Sequence, residues 1–211
     1  MKKIDIINNL EIKSVYVFDH YQNPEMKTKP VYEIKEAISK LNAVDKNFEL
    51  GSMVLNVRNR KKEILLNDYI YKFMEIKNFN FGLGIGDEKY EKKNKIFENN
   101  IEDIICEIQN HKIYDANKIN IILGGNSKFL VDLSLKYSIG LNQWQGSLEN
   151  IKKKIALFKK ANINESKISY CTKNLKFSGK ELSENIEIIY ALSESKTFKD
   201  QIDDISKYCL N

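Results

Sequence analysis

Two short turns hold five of the chain's nine glycines, and each closes an apolar, strand-like run. The first is Phe79-Asn80-Phe81-Gly82-Leu83-Gly84-Ile85-Gly86-Asp87; the second is Ile119-Asn120-Ile121-Ile122-Leu123-Gly124-Gly125-Asn126-Ser127. Glycine lets backbone N–H groups come close to a flat ring or a phosphate, so strands ending this way either suit ligand contact or form ordinary tight turns. Other polar side chains capable of chemistry stand at the ends of comparable runs: Asp19-His20, Asn56 and Gln143-Trp144.

The elements that must position these residues alternate. Runs rich in β-branched and aromatic residues occur at Ser14 to Phe18, Phe48 to Val57, Asn78 to Leu83, Lys118 to Leu123, Gly140 to Trp144 and Lys167 to Thr172. Between them lie helical stripes: Ile34, Ala37, Ile38, Leu41 and Val44 form one, and Ile101, Ile104, Ile105 and Ile108 another. Further helices are expected near residues 61 to 76, 129 to 137, 148 to 161, 181 to 193 and 198 to 209. Alternation at this pitch predicts an α/β fold with a parallel sheet, open or closed into a (β/α) barrel, with ligands at the carboxyl ends of the strands. The glycines at 82, 84 and 86 alternate along the strand instead of opening a G-x-G-x-x-G turn into a helix, which favours a barrel over a dinucleotide-binding fold.

Composition narrows the partners. Basic residues outnumber acidic ones by 34 to 29, yet Arg58 and Arg60 are the only arginines and the lysines are interspersed with acids, which argues against nucleic acid. The densest cluster, Lys152, Lys153, Lys154, Lys159 and Lys160, alternates with Leu148, Ile151, Ile155 and Phe158 and predicts an amphipathic helix with a wet basic face. Cys106, Cys171 and Cys209 form no Cys-x-x-Cys pair, and His20 and His111 are the only histidines, so a metal site is not expected and a reducing compartment is. No apolar signal core or membrane-length stretch is evident, and the expected location is cytoplasmic, with no membrane partner.

Across about residues 5 to 145 the chain resembles the bacterial luciferase-like superfamily, (β/α)-barrel enzymes that use flavin or the 8-hydroxy-5-deazaflavin coenzyme. Val15-Tyr16-Val17-Phe18-Asp19-His20 is similar to the family's strand ending in Asp-His, Leu50-Gly51-Ser52-Met53-Val54-Leu55 to its next strand, and Phe81 to Asp87 to its glycine-rich strand. Leu123-Gly124-Gly125-Asn126-Ser127, with Leu133 to Tyr137 and Gly140-Leu141-Asn142, resembles the family's Gly-Gly turn, helix and following strand.

The resemblance implies an oxidoreductase moving a hydride between the deazaflavin (coenzyme F-420), or reduced FMN, and a small organic substrate. Oxygen-activating flavin monooxygenases share the scaffold. It implies catalytic roles for His20 and Asp87: His20 as a proton donor or acceptor beside the ring, since imidazole titrates near neutrality, and Asp87 as a general acid or orienting group. A satisfied strand-end histidine and a helix N-cap are the respective alternatives. Coenzyme contacts are implied for Asp19, His20, Ser52, Met53, Val54, Asn56 and Gly86, with a cis peptide at Met53-Val54, and phosphate contacts for Gly124, Gly125, Asn126 and Ser127. Trp144 and the loop from Tyr21 to Pro30 would shape the substrate side.

The family barrel needs about 250 residues and eight strands. The six runs above predict a single domain over 1–211 that lacks the first and last family strands, residues 3 to 10 matching the family's first helix. The exposed edges such a gap would leave, and the habits of relatives, point to a homodimer. Ile139 stands where the family has an acid, and no proline follows Val57, so a non-catalytic flavin-binding or interaction protein is the alternative function.

Overall fold

The computed structural model describes residues 3–10, 12–23, 25–86, 97–164, 167–175 and 186–209. The chain divides into two compact units, Met1–Ile121 and Ile122–Asn211.

Unit 1 begins with helix α1 (Lys3–Asn8), the helix the sequence match expected there. Strand β1 (Ser14–Val17), helix α2 (Ile34–Asn42) and strand β2 (Glu49–Asn56) follow. The α2 stripe buries Ile34 and Ile38, and the Glu33 carboxylate caps the helix by accepting from the Glu36 N–H at 3.1 Å. The helical stretch after β2 consists of α3 (Lys62–Ile64), a π-helical segment (Leu65–Ile70) and α4 (Tyr71–Met74). Strand β3 (Asn80–Gly84) and helix α5 (Ile101–Gln109) follow; the α5 stripe buries all four isoleucines that its spacing predicted.

β1, β2 and β3 pair in parallel, from Ser14 opposite Glu49 and from Gly51 opposite Asn80, with a register shift between Met53 and Leu55. The core of the unit is aromatic. Phe79 and Phe81, fully buried, stand edge to face with centroids 4.7 Å apart, and Phe73 from α4 lies 5.2 Å from Phe79. Burying each such ring is worth about 1.5–3 kcal/mol. Gly82 serves this packing: a Cβ there would strike the Ser52 carbonyl oxygen, so β3 can lie against β2 only without one.

Unit 2 contains helix α6 (Lys128–Tyr137), strand β5 (Gly140–Trp144), helix α7 (Leu148–Lys160), strands β6 (Ile168–Thr172) and β7 (Glu187–Tyr190), and helix α8 (Phe198–Cys209). Strand β4 (Asn120–Gly124) begins two residues before the unit does. The helices α6 and α7 start at Ser127 and Ser147, whose hydroxyl oxygens accept from Leu130 N and Asn150 N. Ser138 ends α6 in the left-handed region at φ 52°. Leu141, Ile151, Phe158 and Ile168 are fully buried.

The pairs β4–β5, β5–β6 and β6–β7 are also parallel. β7 lies within the 181–193 stretch whose pattern suggested a helix. Ile188 and Ile189 pair with Tyr170 and Cys171 of β6, so the ladder offered by a strand edge overrides the local pattern. Among the described residues, seven strands form a parallel sheet in chain order, β1 to β7. The fold is α/β, TIM-barrel-like and incomplete relative to the eight strands of a full barrel.

Candidate functional site

In unit 1 the predicted residues gather at the carboxyl ends of β1 and β2. Asp19, 7% exposed, receives two parallel hydrogen bonds from Arg60: Nη1 to Oδ2 at 2.8 Å and Nη2 to Oδ1 at 2.9 Å. The Asn56 N–H also donates to Oδ2 at 3.1 Å, and Asn59 Nδ2 donates to the Asp19 carbonyl at 3.0 Å. Asn56 Nδ2 bonds Asn59 Oδ1, while Asn99 Nδ2 reaches the carbonyls of Val57 and Arg60 at 2.7 and 2.8 Å. The turn after β2 is thereby tied to the end of β1 through Asn56, Asn59 and Arg60.

Arg60 lies over the Tyr69 ring, 4.0 Å from its centroid. Burial alone would lower the Arg60 guanidinium, but the hydrogen bonds and charge of Asp19 outweigh it and hold it above its ordinary value. Burial likewise pushes the Tyr69 phenol up to about 12, against the opposing charge of Arg60.

This network gives Asp19 and Asn56 a definite task. Among the described residues, the Asp19 carboxylate oxygens accept three hydrogen bonds from the protein, and the Asn56 amide both donates to Asn59 and accepts from the Arg58 N–H, so these two hold the rim in place. Ser52, fully buried, donates its hydroxyl to the Gly82 carbonyl at 3.0 Å. His20, half-buried, follows Asp19 directly, its ring 5.5 Å from that of Phe18. Met53 and Val54 are half-buried and joined by a cis peptide, as the family resemblance implies, at the point where the β2–β3 register shifts. Gly86 has φ 75°, a conformation that glycine adopts without strain. Asp87 lies outside the described residues.

In unit 2 the turn after β4 brings Gly124, Gly125, Asn126 and Ser127 to the start of α6. The Gly125 N–H is taken up by the Asn142 carbonyl at 3.2 Å, and Ser127 Oγ accepts from Leu130 N at 3.4 Å. Asn126 is exposed; its Nδ2 donates to the Trp144 carbonyl at 2.9 Å, and its Oδ1 accepts from Lys154 Nζ at 3.1 Å. Trp144 ends β5 about half exposed, at 47%.

Three residues in these networks stand out only in the structure. Arg60 is one of two arginines and follows Asn56 by four residues, a signal that rarity alone could have raised. Asn59 carries no such signal. Lys154, expected on a wet face, instead shares the buried face of α7 with Ile151, Ile155 and Phe158. Its spacing, three residues after Ile151 and four before Phe158, already placed it in that stripe. Burial lowers its ammonium pKa.

Among the described residues no helix is long and apolar enough to cross a membrane. No protein-family profile and no curated protein matches the chain. Among solved structures, it is similar to a type II Baeyer-Villiger monooxygenase, the oxygenating constituent of 3,6-diketocamphane monooxygenase from the CAM plasmid of Pseudomonas putida, in complex with FMN. The two share 12% identity with a TM-score of 0.54 over 80% of this chain, which spans 60% of that one; the likeness is one of fold.

Proposed function

We propose that the protein is a flavin-dependent oxidoreductase, a single luciferase-like domain that forms a homodimer and moves a hydride between reduced FMN, or the 8-hydroxy-5-deazaflavin coenzyme, and a small organic substrate. The observation that carries this function is the likeness in fold to a monooxygenase solved with FMN. In unit 1, His20 at the carboxyl end of β1 adds support, because ligands of such folds gather at that end.

The residues fit a flavin in part. The Asp19 carboxylate, the Ser52 hydroxyl and the Gly125 N–H are engaged with the protein, so their contribution is to fix the backbone. In unit 1, His20 is half-buried beside the clamped rim, and Met53 and Val54 are half-buried on β2. These three would face the ring. A bound flavin supplies the capacity to accept or donate a hydride. His20 would hold or release the accompanying proton.

A second function rests on the same engaged groups. If Asp19, Ser52 and Asn56 serve packing alone, the chain is a flavin-binding or interaction protein without turnover. Absorbance spectra of the purified protein with reduced FMN and with the deazaflavin separate the two. Substrate-dependent spectral change supports the enzyme, tight binding without change supports the alternative, and binding of neither coenzyme removes both.

A further inference from the structure

A groove of ≈ 520 Å³ lies within unit 2 between α6 and α7, walled by Asn126, Lys128, Gln143, Lys153, Lys154 and Asp132 among others. Lys154 is 8% exposed, and its ammonium donates to one acceptor, the neutral Asn126 Oδ1. Among the described residues no carboxylate pairs with it. A buried ammonium has three protons to place and retains its charge at a cost unless an anion lies nearby.

Gln143 has the complementary deficit. It is 1% exposed, and Nε2 donates to the carbonyls of Gln145 and Ser147 at 3.0 and 3.3 Å, which fixes the amide's orientation. A flipped amide would set its oxygen against two carbonyls. Oε1 is therefore the orphan: a buried acceptor with no donor among the described residues. The first turns of α6 and α7, which contribute Lys128 and Asn150 to the walls, add partial positive charge. Exposed Lys128 opposes Asp132, the one carboxylate of the lining among the described residues, while Lys153 pairs with Glu149 at 2.7 Å.

We propose that this groove binds a small phosphate-bearing anion. A carboxylate or sulfate would answer Lys154 but brings no proton for Gln143. A phosphate monoester, whose second ionisation lies at pKa ≈ 6, presents anionic oxygens and, in its singly protonated form, an O–H donor, which inorganic phosphate retains even when doubly ionised. One ligand then meets both deficits, and this goes beyond the flavin-dependent function because no flavin is required.

The test is calorimetric titration of flavin-free protein with inorganic phosphate, phenyl phosphate and sulfate at matched ionic strength. Saturable binding of either phosphate ahead of sulfate is expected; the tighter of the two identifies free ion or ester. Lys154→Met, which keeps the length and the apolar stem, should weaken phosphate binding about ten- to a hundredfold, the worth of a charged hydrogen bond. Gln143→Met should abolish the preference for phosphate over sulfate. Phosphate binding no tighter than sulfate, or unchanged in a folded Lys154→Met protein, overturns the proposal. Flavin binding, followed separately by absorbance, can fail without touching this result.

Discussion

Arg60 meets Asp19 end-on, with both guanidinium N–H groups on both carboxylate oxygens at 2.8 and 2.9 Å, in a pair whose side chains are 13% and 8% exposed. Such pairs fix geometry as much as they stabilise, since a planar fork on a carboxylate admits one orientation. Here the orientation fixed is that of the turn between β2 and α3 against the end of β1. His20 inherits its position from that clamp.

Arg60→Met should therefore destabilise the protein by about 3–5 kcal/mol, because it strands a buried carboxylate. Urea denaturation measures it. A double variant that also carries Asp19→Leu should recover part of the loss; equal losses in the single and double variants would show that the pairing itself is not what the rim depends on.

Gly82→Ala should cost about 3 kcal/mol, as the added methyl has backbone, not a flexible side chain, in its way. A lowered denaturation midpoint with an unchanged slope is the expected signature. Wild-type stability in this variant would mean that β2 and β3 are not as closely apposed as described.

His20→Ala should leave coenzyme binding largely intact and reduce turnover by about 10²–10⁴-fold, the usual worth of a positioned proton donor or acceptor. Stopped-flow absorbance separates the two steps. Turnover at the wild-type rate would take His20 out of the mechanism.

Burial pushes the Cys171 thiol up to about 12 from its ordinary value of 9.0, with Lys173 opposing. Between those limits the native thiol keeps a proton that the unfolded one has lost. Its contribution to stability is thus complete below about pH 9 and disappears as pH rises toward about 12, at up to about 1.4 kcal/mol per pH unit. The wild-type protein should lose stability more steeply than Cys171→Ala across that window. At about pH 8, iodoacetamide should leave Cys171 unmodified until the protein unfolds, as read by mass spectrometry of the digest.

The parallel α/β character and most elements were legible in the chain, because apolar spacing is a local property: β5 at Gly140–Trp144 and the buried face of α5 match their expected residues. The Asp-His end of β1 and the glycine turns were legible for the same reason. The tertiary structure decided what those residues touch. Gly82 could mean a ligand or a neighbour, and only the register of β2 against β3 assigns its bare face to the Ser52 carbonyl. Asp19 ends a strand, and only the structure shows that Arg60, 41 residues onward, pairs with its carboxylate. Lys154 shares the face of Ile151, Ile155 and Phe158 by spacing alone, but only the structure shows that its ammonium meets Asn126 Oδ1. Spacing along a chain fixes which side chains share a face, whereas a polar group's partner is set by loop closure across tens of residues, and no local pattern encodes that.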